Sequence, residues 1–429
     1  MSVGIQEQNF GVEYEFTGIT REKAAKTIAT FLTSSYYNEG GSYDKYVTKD
    51  SQGRTWTVMS DGSISKVNSL GRPTGDKRYS CELVTPVCKY EDIEKIQQIV
   101  RELKAAGARV NDSCGIHIHI DGANHNAKSI RNLSLIIASK EAPMRTALEI
   151  KPSRATYCQT SLPSYIEWLD DTKNPTLEQI KEKYYEGHQN SEARFHYSHY
   201  RYHMLNLHSF FGEYHGAHKT VEFRCFNSTQ HAGKMKAYIQ FCLAVSSQAI
   251  RQTTAIYRPM QRDNDAYVFR TWLNRAKLIG PEYKTCRTHM LANLQGDLVY
   301  HDRANVRHRN MRCAEELNAR IQTATAQQSN PSTVAISELP TAVQESPDVP
   351  SFSLTEQVDA FIRGMQLDNN LTVADRSQII EILSRGLNNR QQAEVQRTFT
   401  ESDPERQIQQ AQQRAEQRTR RRRTVGGGE

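Results

Sequence analysis

Three short stretches alternate strictly between apolar and ionisable residues, and they limit the fold more than any other feature of the chain. In "GVEYEF", Val12, Tyr14 and Phe16 fall on one side, Glu13 and Glu15 on the other. In "GIHIHID", Ile116, Ile118 and Ile120 oppose His117, His119 and Asp121. In "TVEFRCF", Val221, Phe223 and Cys225 oppose Glu222 and Arg224. Side chains alternate across a β-strand with a period of two. Each stretch therefore reads as a strand with one apolar and one polar face. A fourth strand, "CELVTPV", places Glu82 beside an end terminated by proline.

A solvated strand face favours Thr, Lys, Tyr and mixed charges. Here the polar positions are Glu-x-Glu, His-x-His and Glu-x-Arg. Laid side by side in one sheet, they gather carboxylates, two imidazoles and a guanidinium on one face. Clustered carboxylates raise one another's pKa unless cations intervene. Hard oxygen ligands suit Mg²⁺ or Mn²⁺, and Mg²⁺ is commonly held by one or two carboxylates plus substrate phosphates. An arginine beside such a cluster can clamp phosphate bidentately. These residues point to a metal–nucleotide site on a concave sheet. In "MSDGSIS", Asp61-Gly62 reads either as a hairpin turn or as a loop holding Asp61 at the rim of the sheet as a base.

Around these strands the pattern predicts an α+β domain. Strands are expected at 9–17, 54–60, 79–85, 114–121, 201–208 and 218–226. Helices are expected at 20–34 (Thr20 as N-cap), 91–106, 127–150 and 231–251, with a long polar loop at 37–53. The chain has 429 residues, 37% of them hydrophobic, and a net charge of +7. That is polar enough to predict disorder in part of it. The expected organisation is a catalytic domain over 1–320, a linker over 321–350, a small helical domain over 351–400 and a disordered basic tail over 401–429. The tail carries the arginines from Arg406 to Arg423, so the folded part is close to neutral. Any nucleic-acid binding would rest on that tail.

The eight cysteines form no CxxC pair and read as reduced, mostly buried thiols of a cytoplasmic protein. The start has neither the charged nor the apolar region of a signal peptide. No apolar run reaches the ~18 residues that a membrane span needs.

Taken in order, Glu-x-Glu, the Asp-Gly-Ser loop, "CELVTP", "CGIHIHID" and an Asn followed by "TVEFR" resemble the amidoligase family. That family lies in the glutamine synthetase and glutamate–cysteine ligase superfamily, and the resemblance covers about residues 9–280. It implies a curved, mainly antiparallel sheet with helices on one face and ATP with Mg²⁺ over the other. It also implies that ATP phosphorylates a carboxylate, which an amine then attacks. Carried over, Glu13, Glu15, Glu82 and Glu222 become metal ligands, with His119 and His117 contacting metal or phosphate. Arg224 contacts phosphate, and Arg201 and Asn206 support the nucleotide. Asp61 resembles the loop aspartate that helps deprotonate the amine in ligases of prokaryotic ubiquitin-like modifiers.

Those modifiers end in Gly-Gly-Glu or Gly-Gly-Gln, and this chain ends "GGGE". Glycines let such a tip thread a narrow groove, and residues 397–429 extend on the order of 100 Å. Glu429 is thus a candidate donor carboxylate for attachment to lysines. Three other readings compete: a small-molecule or peptide amidoligase with a passive tail, an amide hydrolase or deamidase on the same metal face, and a non-catalytic nucleic-acid-binding protein. A Zn²⁺ amidohydrolase would need further His, Lys and Asp ligands and barrel-like strand–helix alternation, which the chain lacks. The His- and Tyr-rich stretch 194–218 fits no pattern and reads as surface, substrate-binding or a separate metal site.

Overall fold

The computed structural model describes residues 3–259, 264–296, 303–328, 358, 361–365, 371, 373–385 and 389–401. The basic tail and the proposed donor Glu429 lie outside the described residues, as does most of the expected linker. The chain divides between Leu298 and Val299 into two compact units.

The first unit is built on one antiparallel sheet of eight strands: β1 (Phe10–Phe16), β2 (Tyr36–Gly40), β3 (Lys45–Lys49), β4 (Thr55–Met59), β5 (Cys81–Val84), β6 (Gly115–Asp121), β7 (Leu205–Asn206) and β8 (Thr220–Asn227). Their spatial order is β2-β3-β4-β5-β1-β6-β8-β7. The four motif strands β5, β1, β6 and β8 are therefore adjacent, though more than a hundred residues separate some of them.

Register decides what each face carries. Val12 pairs with Ile118 and Tyr14 with Ile116 and Leu83, while Ile118 faces Phe223 and Ile120 faces Val221. All of these are buried. Burial of such branched and aromatic surface is the main driving force for folding. Helices cover this face. Helix α1 (Arg21–Phe31) packs on β3 and β4, with Thr20 capping it by accepting from the Lys23 amide. Helix α2 (Asp92–Ala105) packs against the long helix Ala232–Arg251, which lies on β6. That long helix is buried nearly all round, so it reads apolar on every side.

Four expectations change. The polar stretch 37–53 is a hairpin, β2 and β3, rather than a loop; β2 is the exposed edge strand, and β3 buries Val47 and Thr48 side by side rather than in alternation. The helix expected over 127–150 is two helices, Ala127–Ala138 and Glu141–Ala147, broken at Ser139-Lys140 just ahead of Pro143. The strand expected over 201–208 shrinks to β7, and Arg201 sits in a single 3₁₀ turn. In β8 a bulge shifts the register, so that Phe226 rather than Cys225 faces Ile116. Bulges of this kind re-aim side chains and are frequent beside active sites.

The second unit is helical. It includes Arg303–Gln328, Val373–Ser384 and Asn389–Glu401 around a core of Leu317, Ile362, Met365, Ile379 and Leu383. Its first helix begins before residue 320, where the sequence reading had drawn the boundary.

Candidate active site

The same register that buries the apolar set lines up the ionisable one. Glu13 pairs with His117, Glu15 with Glu82, His119 with Glu222 and Glu222 with Asn206. His117 is the hub. Its Nδ1 lies 2.9 Å from Glu13 Oε2 and 3.7 Å from Glu222 Oε1, and its Nε2 lies 3.7 Å from Glu15 Oε1. His119 Nε2 is 3.3 Å from Glu13 and 3.8 Å from Glu222, and its Nδ1 is 3.0 Å from the Thr220 hydroxyl. Glu222 accepts from Arg224 Nη1 and from Asn206 Nδ2, each at 2.5 Å.

Burial raises the carboxyl of Glu222, but Arg224 and then His119 outweigh it and hold its pKa at about 2. Glu13 behaves alike: burial pushes up, His119 and His117 pull further down, and it stays well below the usual range. Burial lowers His119, yet Glu222 and Glu13 raise it above its ordinary value. Glu82 is the exception. Burial, then Glu13, Glu15 and Asp61, push its carboxyl well up. It makes no hydrogen bond or ion pair with another described residue.

Arg224 pulls Glu82 down only in part, and a buried carboxyl among other carboxylates with too little positive charge to hold it ionised is what a metal site looks like before its ion is counted. Two triads have ligand atoms within 4.8 Å of one another: Glu13, His117 and Glu222, and Glu15, Glu82 and His117. Oxygen-rich with one imidazole, they fit a hard divalent cation better than a thiophilic one.

Over one end of this face lies a cavity of about 870 Å³. Glu13, His119, Glu222, Asn206 and Arg201 line it, whereas Glu15, Glu82, His117 and Arg224 are buried beside it. The stretch 194–218, left open by the sequence, supplies much of the wall through His196, Arg201, His208 and Tyr214. Asp61 is not in the cavity. It sits in the turn after β4, accepts from the Ser63 amide at 2.6 Å and lies close enough to Glu82 to repel it.

Arg154 was not foreseen. It is buried, with Nη1 3.9 Å from Glu15 and Nη2 donating to the Arg224 carbonyl at 3.2 Å. A Cβ on Gly115 would run into its guanidinium. The glycine opening "GIHIHID" was the available signal, since glycine inside a strand marks close approach of another group.

Fold and site together define an α+β protein with a metal-ligand-rich sheet face opening into a cavity. A family model described as "putative amidoligase enzyme" matches residues 6–246, more than half of the chain, and the chain belongs to that family. No curated protein matches the chain. Among solved structures, the crystal structure of a bifunctional glutathione synthetase from Pasteurella multocida aligns at 13% identity and a TM-score of 0.29. The alignment covers 68% of this chain and 47% of that one, so this chain spans about half that protein's length. A likeness at this level carries no argument about mechanism. Among the described residues, no helix is long and apolar enough to cross a membrane.

Proposed function

We propose that the protein is an ATP- and Mg²⁺-dependent carboxylate–amine ligase that works through an acyl phosphate. One observation carries the reading: Glu13, Glu15, Glu82 and Glu222 converge with His117, His119 and Arg224 on one sheet face, and Arg224 does not offset the burial and neighbouring acids that push the Glu82 carboxyl up. Glu13 and Glu222 with His117, and Glu15 and Glu82 with His117, would hold Mg²⁺ or Mn²⁺, with His119 on metal or phosphate. The ions would neutralise phosphate charge, which is most of what phosphoryl transfer asks of a protein.

The chain's own residues do the rest. Arg224, fixed against Glu222, presents a guanidinium to phosphate; Asn206 keeps Glu222 in place; Arg201 lies at the cavity wall. A substrate carboxylate oxygen attacks the γ-phosphorus and ADP leaves. The amine then attacks the acyl carbon, phosphate leaves, and the surplus amine proton goes to Asp61. Asp61 lies beside Glu82 rather than in the cavity, so the amine would approach from the β4 side.

The finer version takes Glu429 as the donor carboxylate and a lysine amine as acceptor, giving an isopeptide bond; a passive tail with a free small acid is its alternative. Purified protein incubated with ATP and Mg²⁺ and weighed intact decides between them. Loss of one water or a heavier conjugate, abolished by deleting Gly426–Glu429, supports the tail donor. ADP formation that depends on an added acid and amine supports the passive tail. No ADP under any of these conditions overturns the ligase.

A further inference from the structure

We propose that His208 is a ligand-binding residue of this cavity: its Nε2–H, set by the Tyr185 hydroxyl, donates to an oxyanion of the bound ligand, and Arg201 supplies the opposing charge. The ligand class is a carboxylate or phosphate oxyanion. The inference places that oxyanion in the site assigned above to the ligase reaction.

His208 lines the cavity and is 1% exposed. Its amide donates to Asn206 Oδ1 at 2.8 Å, and the same Asn206 holds Glu222, so its backbone is tied to the metal-ligand face. Its Nδ1 lies 2.8 Å from the hydroxyl of Tyr185, which is fully buried. Burial keeps that phenol protonated. Among the described residues, His208 Nδ1 is the only partner in hydrogen-bond reach of the phenolic hydrogen. Nδ1 must therefore accept, and the ring hydrogen sits on Nε2.

That Nε2 is buried and has no hydrogen-bond partner among the described residues. A buried donor without an acceptor is costly. In the wall of a cavity, a ligand oxygen removes that cost. Burial, then Arg201 and His196, hold the imidazole pKa at about 4, so the ring is a neutral donor near pH 7. The charge comes from Arg201. Its guanidinium lies between the Tyr197 and Tyr202 rings, 5.8 and 5.9 Å from their centroids. Among the described residues its one hydrogen bond runs to the His196 carbonyl at 3.5 Å. No carboxylate lies within ion-pair distance of it among the described residues. Tyr214 stacks on the His208 ring, with centroids 5.3 Å apart, and completes this wall.

The test is long-range ¹H–¹⁵N spectroscopy of the full-length protein labelled at histidine, with His208 assigned by the signal lost in His208→Gln. The expected result is an Nε2–H tautomer whose Nε2 resonance moves on adding inorganic phosphate, Mg·ATP or L-glutamate. Movement with phosphate and ATP alone identifies a nucleotide phosphate; movement with glutamate alone identifies the acid substrate. Tyr185→Phe, a positioning variant, should give a mixture of tautomers. His208→Phe should bind the responsive probe roughly tenfold more weakly, and His208→Gln, which keeps an N–H donor, within about threefold of wild type. An Nδ1–H tautomer, a resonance unmoved by all three probes, or unchanged affinity in His208→Phe overturns the proposal. A moving resonance without ADP formation removes the ligase reading and leaves this one standing.

Discussion

Two acidic clusters lie within the first unit, and only one is balanced by the protein. In the first, Arg54 donates to Asp92 through both terminal nitrogens at 2.7 Å and to Asp50 at 2.9 Å. Lys95 stands 3.6 Å from each aspartate, and Trp56 Nε1 donates to Asp50. Two carboxylates meet two cations, and both acids are held below their ordinary pKa. In the second, four glutamates share Arg224, Arg154 and two imidazoles, and Glu82 is left with its carboxyl pushed up. The first cluster closes a hairpin onto a helix. In the second, the cations present do not hold all four carboxyls ionised, a surplus of acid that the raised Glu82 reports. That surplus, rather than the number of acidic residues, separates a structural cluster from one built for a cation.

The sharpest way to break the contrast is Glu222→Gln. It removes an anion that Arg224, His119 and Asn206 all face, and should cut ATP-dependent turnover on the order of 10²–10³-fold. Turnover within a few-fold of wild type, in a variant that still melts cooperatively, would remove Glu222 from the site.

In the balanced cluster the corresponding change is Arg54→Leu. Losing the cation that hydrogen-bonds both leaves two buried aspartates with Lys95 alone, 3.6 Å from each. The expected destabilisation is about 2–3 kcal/mol in urea unfolding, below the range for a wholly buried pair because the Arg54 side chain remains 20% exposed. Turnover should hold under conditions where the variant is folded.

Glu82→Gln separates the clusters on a smaller scale. Arg224 offsets burial and the neighbouring acids only in part, so the Glu82 carboxyl favours its neutral form and an amide costs the metal-free protein little. The gain in melting temperature on adding Mg²⁺, a few degrees for the wild type by ordinary ligand linkage, should shrink or vanish. An undiminished gain would place the ion elsewhere.

The balanced and unbalanced clusters were not equally legible. Period-two alternation put Glu13, Glu15, His117, His119 and Glu222 on one polar face before any contact was known, because strand geometry forces that outcome. What alternation cannot encode is contact between distant segments. Arg154 and Tyr185 sit in irregular or helical stretches with no local signature, and His208 follows the two-residue strand β7. The β2–β3 hairpin escaped because β2 is mostly exposed and β3 buries two successive residues, Val47 and Thr48, so neither strand shows alternation. The bulge in β8 escaped because "FRCFN" can be threaded in two registers, and only pairing with Ile116 and Ile118 selects one. Arg54 and Asp92 are almost forty residues apart, so their cluster left no trace in sequence either.

The smallest effect tests the balance of the first cluster through pH. Burial alone would raise Asp50, but hydrogen bonds from Arg54 and Trp56 and the Arg54 and Gln52 amides bring its pKa to about 2. An unfolded aspartate titrates near 3.9. A folded pKa below the unfolded one means the stabilisation is fully present above about pH 4 and is lost as pH falls through about 2. The stability difference between wild type and Asp50→Asn, read from urea midpoints, should therefore shrink by about 1 kcal/mol from pH 5 to pH 2.5, after allowance for solvent screening. Asp92, also depressed, titrates in both proteins and cancels in the difference. A gap that stays constant across this range would mean that Asp50 is held by packing and not by charge, and the cluster would no longer count as an electrostatically closed counterpart to the glutamate face.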